Sequence, residues 1–139
     1  MKHERERTSG DYDILQKAKE LAGYTIRITS NEKNFPKRYR FTVAEKIINK
    51  SLFIFDSLMM AYEIYPNDRI EFEKRILYEK EARAACRSLL TMMEVAANTF
   101  DIKAGTFEHW TEKAVDLRQH ITGWIKSDVN RFKWGTDYK

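Results

Sequence analysis

Cysteine occurs once in this chain of 139 residues, proline twice and glycine five times. The single thiol, Cys86, has no partner for an internal disulfide, so the fold must hold without covalent cross-links, and a reducing cytoplasm is the expected compartment. So few prolines and glycines leave little that could interrupt a long element. No apolar run approaches the roughly 20 residues that a membrane span needs. The charged start Met1-Lys2-His3-Glu4-Arg5-Glu6-Arg7 has no apolar stretch behind it, which predicts no signal peptide. What is present, 42% hydrophobic and 33% charged residues, is too apolar for disorder and too charged for a bilayer. The length suits one domain.

The breaks fall in three places: Asn31 to Pro36, Pro66-Asn67-Asp68 and Lys103-Ala104-Gly105. They leave four segments far too long for ordinary strands, with no internal repeat and no low-complexity linker. Thr42-Val-Ala-Glu45 and Asp68-Arg-Ile-Glu71 both fit the capping box that opens a helix. Gly105 reads as a stop, and Thr106 as the cap of a last helix with Glu108 in its first turn. Tyr39 to Phe41 reads as an irregular early turn of the second helix.

Apolar spacing agrees with helices. Phe107, Trp110, Ala114, Leu117, Ile121 and Trp124 alternate steps of three and four, a seam suited to bundle packing. Ile48, Leu52, Phe55, Met59 and Tyr62 form the expected main seam of the second segment, broadened by Ile47, Ile54 and Leu58. Cys86, Leu89, Met93, Ala96 and Phe100 repeat the pattern in the third, with Ile70, Ile76 and Leu77 serving its earlier turns. In the first, Leu15, Ala18, Ala22 and Ile26 fit a helix. Tyr24 to Thr29 is rich enough in β-branched residues for a strand, but a lone strand has no partner. The expected fold is all-α, an antiparallel up-down four-helix bundle over residues 11–128, preceded by a flexible N-terminus (1–10) and followed by a basic C-terminal tail (129–139). Phe53, Ile54, Met60 and Ile64 widen the second stripe beyond what one core requires, which fits either a broad core or a subunit interface.

Chemistry-bearing constellations are sparse. There is no glycine-rich phosphate loop, no G-x-S-x-G, and no Cys and His cluster at metal spacing. His3, His109 and His120 are scattered, and Glu81 and Glu94 lack the Glu-x-x-His pairing of a bundle di-iron site. Cys86 lies on the apolar face as a small core residue. No cofactor and no catalytic activity are expected.

The charges say more than their net of +4. Lys37, Arg38, Arg40, Lys46 and Lys50 stand against Glu45 alone, with Tyr39 and Phe41 interleaved as stacked bases and phosphates would require. Lys80, Arg83 and Arg87 step along one face of the third segment. Lys126, Arg131 and Lys133 cluster near the end around Phe132 and Trp134. A charge run of this kind is either a solvated face or a contact surface. Arg83 and Arg87 lie among Ala82, Ala84, Ala85 and Cys86, where another backbone can approach closely, so they face a cavity, a partner's carboxylates or phosphates.

Phe35-Pro36-Lys37-Arg38 leading into the second helix, Arg83-x-x-x-Arg87 on the third and Thr122-Gly-Trp-Ile-Lys-Ser-Asp128 closing the fourth resemble the accessory variability determinant (Avd) family. These proteins partner the reverse transcriptase of diversity-generating retroelements. The resemblance runs from about Asp11 to Lys133, its most specific element being the Gly-Trp-Ile ending followed by Arg131. A wider kinship includes the four-helix proteins encoded by intervening sequences in bacterial ribosomal RNA genes, and the Trp124 ending favours the retroelement branch. The resemblance implies a homopentameric barrel that binds its reverse transcriptase and nucleic acid through basic surface. It also implies a non-catalytic role in mutagenic copying of a template RNA into a target gene. Carried over by position, Arg83 and Arg87 match the family's paired arginines, and Lys37 and Arg38 its basic lead-in to the second helix. The charge-balanced first helix departs from the family. Expected partners are further copies of the chain, a reverse transcriptase, and RNA or DNA, with no membrane and no small-molecule substrate. The alternative is an interaction protein of the intervening-sequence type with no such polymerase.

Overall fold

The computed structural model describes residues 9–139; of the expected flexible segment, residues 1–8 lie outside this range, while Ser9 and Gly10 open the first helix. Four long helices follow: α1 (Ser9–Ser30), α2 (Glu45–Glu63), α3 (Arg69–Thr99) and α4 (Ala104–Arg131). Each packs on its neighbour in sequence, and α1 closes the ring against α4. The described residues include no strand, and the chain is an all-α four-helix bundle.

Local chemistry explains most boundaries. The β-branched end of α1 is helical, and the buried Thr25 and Thr29 hydroxyls are satisfied within it by donating to the carbonyls of Leu21 (2.7 Å) and Thr25 (2.8 Å) one turn back. Asn31 then makes a turn, its Oδ1 accepting from the Lys33 amide at 3.0 Å. At the start of α3, Asp68 Oδ1 accepts from the Glu71 amide at 2.8 Å, and the Glu71 carboxylate accepts from the Asn67 amide at 2.7 Å. The Asp68 box is therefore made, with its return bond one residue early.

Two expected caps are not made. A 3₁₀ turn (Lys37–Tyr39) and a π-helical turn (Arg40–Ala44) run directly into α2, and the Glu45 amide donates to the Arg40 carbonyl. No orphan amide is left there for Thr42 to cap. Likewise α4 begins at Ala104 after Lys103, so Gly105 and Thr106 lie within its first turn, and Gly105 stops nothing. The irregular turn expected at Tyr39 to Phe41 is this 3₁₀-to-π junction.

Along α4 the seam from Trp110 to Trp124 is buried as expected, and so are Cys86, Leu89, Met93 and Ala96 on α3. On α2 the centre line is Ile47, Ser51, Ile54, Leu58 and Ala61. The expected seam through Ile48, Leu52, Phe55, Met59 and Tyr62 flanks it, with Leu52 exposed. The small residues Ser51, Ser57 and Ala61 share this buried face with Ile47, Ile54 and Leu58, and the other large apolar side chains lie on its less buried flanks. Ile70 and Leu77 on α3 and Ile26 on α1 are exposed, against expectation.

The two ends of the bundle differ in chemistry. At one end Phe35, Phe100 and Trp110 meet edge to face, with centroids 5.2 and 6.1 Å apart, and Trp110 Nε1 donates to Thr25 Oγ1 at 3.0 Å. The opposite end is ionic. Arg75 Nε donates to Asp128 Oδ2 at 2.7 Å and lies 3.2 Å from Glu79 Oε2, and a further nitrogen lies 3.7 Å from Asp11 Oδ2. Arg75 Nη1 donates to the Ile64 carbonyl at the end of α2 at 2.8 Å, and its guanidinium lies 4.9 Å from the Trp124 ring centroid. Arg131 Nε donates to Asp128 Oδ1 at 3.1 Å, and its Nη2 lies 3.0 Å from the same oxygen as an ion pair. Arg75 thus touches the start of α1 and the ends of α2 and α4, which requires alternating helix directions.

The expected basic tail is instead part of this end. A 3₁₀ segment (Lys133–Tyr138) folds back so that Phe132, Trp134 and Tyr138 surround Phe72, with centroids 5.8, 6.1 and 5.6 Å away. A Cβ on Gly135 would overlap the Val129 carbonyl, so only glycine admits this return.

Burial works against the charge of Arg75, but Asp128, Glu79 and Asp11 outweigh it and hold its pKa above the ordinary value. Burial pushes the Glu79 carboxyl well above the usual carboxylate range, reinforced by hydrogen bonding to and repulsion from Asp128, with Arg75 opposing only in part. Removing one partner strands a buried charge, so Asp128→Ala should cost about 3–5 kcal/mol in urea unfolding. Glu79 holds its proton in the folded chain at pH values where the unfolded chain has lost it. Its stabilising share is thus complete below the ordinary glutamate pKa of about 4.3 and is lost as pH rises through the folded value. Glu79→Gln should remove this dependence. Melting temperatures of the parent and the variant should agree best near pH 5 and diverge toward pH 9 in favour of the variant; a gap independent of pH would contradict the assignment.

Candidate nucleic-acid and protein interface

The 3₁₀ and π-helical turns and the first turns of α2 present the densest group of cations. Lys37, Arg38 and Arg40 are exposed, and the Arg38 guanidinium lies 4.9 Å from the ring centroid of Tyr39. Tyr39 itself packs on Phe100, while Phe41 projects with 74% of its surface exposed. One turn apart on α2, Lys46 and Lys50 border a concavity with Asn49, Phe53 and Met92. Adjoining it, Thr42, Val43, Lys46 and Val95 line a smaller apolar hollow. None of these five cations makes a salt bridge to another described residue, whereas Lys17 and Arg69 on other faces do. The same side carries exposed Leu52, Phe53 and Met60 from α2 and Val95 from α3. Of the four residues that widened the second stripe, Ile54 is buried and Ile64 half-buried, and only Phe53 and Met60 stay outside the chain's own core.

The remaining expected cations lie elsewhere. Arg87 borders a groove between α3 and α4 together with Leu90, Thr91, Glu94, Phe107, Thr111 and Val115. Arg83, half-buried, precedes it by one turn on the same helix, and Lys80 sits 5.2 Å over the Tyr138 ring. Lys126 is exposed on α4, and Lys133 lies 5.2 Å from the Trp134 centroid. Arg131 is drawn into the buried ionic cluster through Asp128, so most of its charge is committed inside the fold. The eleven expected residues therefore divide among the α2 face, the α3–α4 groove and the ionic end of the bundle.

Two groups escaped the sequence reading. One is the buried cluster itself, though its signal was present: Phe72, Arg75, Glu79, Ala82, Cys86, Leu89, Met93 and Ala96 alternate steps of three and four. Arg75 and Glu79 thus occupy core positions of the α3 seam, and Asp128 extends the α4 seam one step past Trp124. The other is Arg118, which lies on the α4 flank facing α3 and whose Nε is buried without a hydrogen-bond partner.

The histidines that can be placed are surface groups. His109 stands edge-on to Tyr24 at 5.1 Å, His120 Nδ1 is 2.8 Å from the Asp116 carbonyl, and His3 lies outside the described residues. Among the described residues no group of three or more His, Cys, Asp or Glu is arranged to hold a metal ion, and no helix is long and apolar enough to cross a membrane. Burial pushes the Cys86 thiol up to about 12, with Arg118 pulling weakly the other way. The thiolate needed for alkylation is therefore scarce at pH 8. Iodoacetamide should leave Cys86 unmodified in the native protein over an hour and label it fully in 8 M urea, as intact-mass spectrometry would show.

No family model matches the chain, and neither a curated protein nor a solved structure is significantly similar to it.

Proposed function

We propose that this protein is a non-catalytic accessory subunit of a diversity-generating retroelement, a basic homo-oligomer that binds a reverse transcriptase and nucleic acid during mutagenic reverse transcription. The observation that supports this reading is the α2 face, where Lys37, Arg38, Arg40, Lys46 and Lys50 have no salt-bridge partner among the described residues and stand among exposed aromatic and apolar side chains. Unpaired cations neutralise phosphates at little desolvation cost, and interleaved rings give unstacked bases a surface to pack on. Exposed Leu52, Phe53, Met60 and Val95 offer apolar area for a neighbouring copy, and an oligomer repeats each basic face several times. The sequence resemblance supplies the retroelement context and the pentamer.

Phosphate contacts position a protein without reading bases, so affinity should vary little with RNA sequence and fall steeply with salt. With four phosphates neutralised, single-stranded RNA affinity should drop about 50-fold between 50 and 200 mM salt. Lys46→Glu with Lys50→Glu should weaken binding at least tenfold at about 100 mM salt and flatten the salt slope, with circular dichroism unchanged. Light scattering during the RNA titration supplies the particle mass. A monomer indifferent to RNA at low salt would overturn the proposal.

A further inference from the structure

We infer that the groove between α3 and α4 is a docking site for an amphipathic helical segment of a protein partner, one that carries carboxylates at one end. The inference rests on the reading of the chain as a protein-binding subunit and assigns a separate surface to that role. Running the antiparallel register back from the Arg75–Asp128 contact brings Arg118 level with Ala85 and Cys86, between Arg83 and Arg87. The influence of Arg118 on the Cys86 thiol agrees with that placement. Arg118 is therefore level with Arg83 and Arg87 at the end of the groove that Arg87 borders, and none of the three makes a salt bridge to a described residue.

Arg118 is the informative member. Its Nε is buried and has no acceptor, a condition that costs free energy as long as it persists. Nε lies on the edge of the guanidinium that grips a carboxylate with two parallel hydrogen bonds, so an anion arriving there would satisfy it. Beyond the arginines the floor becomes apolar, with Leu90, Phe107 and Val115. Thr91 and Thr111 turn their hydroxyls back onto the carbonyls of Arg87 and Glu108, at 3.1 and 3.0 Å. Glu94 stands on α3 between the levels of Leu90 and Phe107.

This order of surfaces discriminates between occupants. A nucleic-acid backbone carries charge at every step and would meet Glu94 while leaving the apolar floor unused. A helix with two carboxylates one turn apart, followed by apolar side chains and a cation set among them opposite Glu94, complements every part of it. From Arg83 to Glu94 the groove spans about 16 Å, three turns of helix.

The test is a display library of 14-residue helical peptides panned on the purified full chain, followed by fluorescence anisotropy with the enriched peptide. Enriched sequences should share paired Asp or Glu ahead of an apolar stripe. Arg118→Gln, Arg87→Glu and Val115→Glu should each weaken binding at least tenfold. Arg87 and Val115 are exposed, so their variants report on the groove without disturbing the core. Lys46→Glu with Lys50→Glu should leave peptide affinity unchanged, and poly(U) RNA should not compete. Failure to enrich any peptide, enrichment without acidic residues, or insensitivity to the groove variants would overturn the inference. Competition by poly(U) would also overturn it and make the groove a phosphate site. Peptide binding without RNA binding would remove the nucleic-acid half of the proposed function and leave the groove standing.

Discussion

The guanidinium of Arg75, wholly removed from solvent, meets Asp128 from α4, Glu79 from its own helix, Asp11 from α1 and a carbonyl at the end of α2. Apolar seams can slide or rotate by a residue at modest cost, because many packings bury similar area. A buried charge cannot, since it requires its counter-charges within hydrogen-bond distance. The cluster therefore acts less as a source of stability than as a constraint on register and helix direction, and the return of the C-terminal 3₁₀ segment is built around it. Trp124 and Phe132 cover the guanidinium faces, and Arg131 balances the second carboxylate.

That constraint sets where the outer surfaces fall. With α3 held in register at both ends, by Arg75 and by the Phe100 packing, its long middle offers one flank to α2 and the other to α4. The α2 flank lies beside Lys46, Lys50 and Phe53, with Met92 shared between the two helices, and the α4 flank carries Arg83 and Arg87 opposite Arg118. Two surfaces of similar net sign thus differ in chemistry. One is cationic with exposed rings; the other grades from arginine through apolar side chains to a glutamate.

What could be read in advance follows from how each signal is encoded. The α4 seam from Phe107 to Trp124 was legible because its large side chains repeat without interruption, and the Asp68–Glu71 cap because it is a local bond. The α2 phase is hard to read because half of its buried face is made by Ser51, Ser57 and Ala61, which carry little hydrophobic signature. The expected tail was misread because nothing local marks Gly135 as the point where the backbone crosses Val129. Arg131 counted as a surface cation because its partner, Asp128, was read only as the end of a motif.

By itself the sequence determined the number of helices, most of their limits and the positions of unpaired cations, since periodicity, turn residues and local charge act within a few residues along the chain. Only the tertiary structure decided which charges are buried, because burial depends on what three other helices bring to the same point. Arg75 and Glu79 occupy seam positions that a linear reading can notice but cannot interpret. The placing of Arg118 level with Arg83 and Arg87 likewise exists only once α3 and α4 run antiparallel in a register set 10 residues away by Arg75 and Asp128.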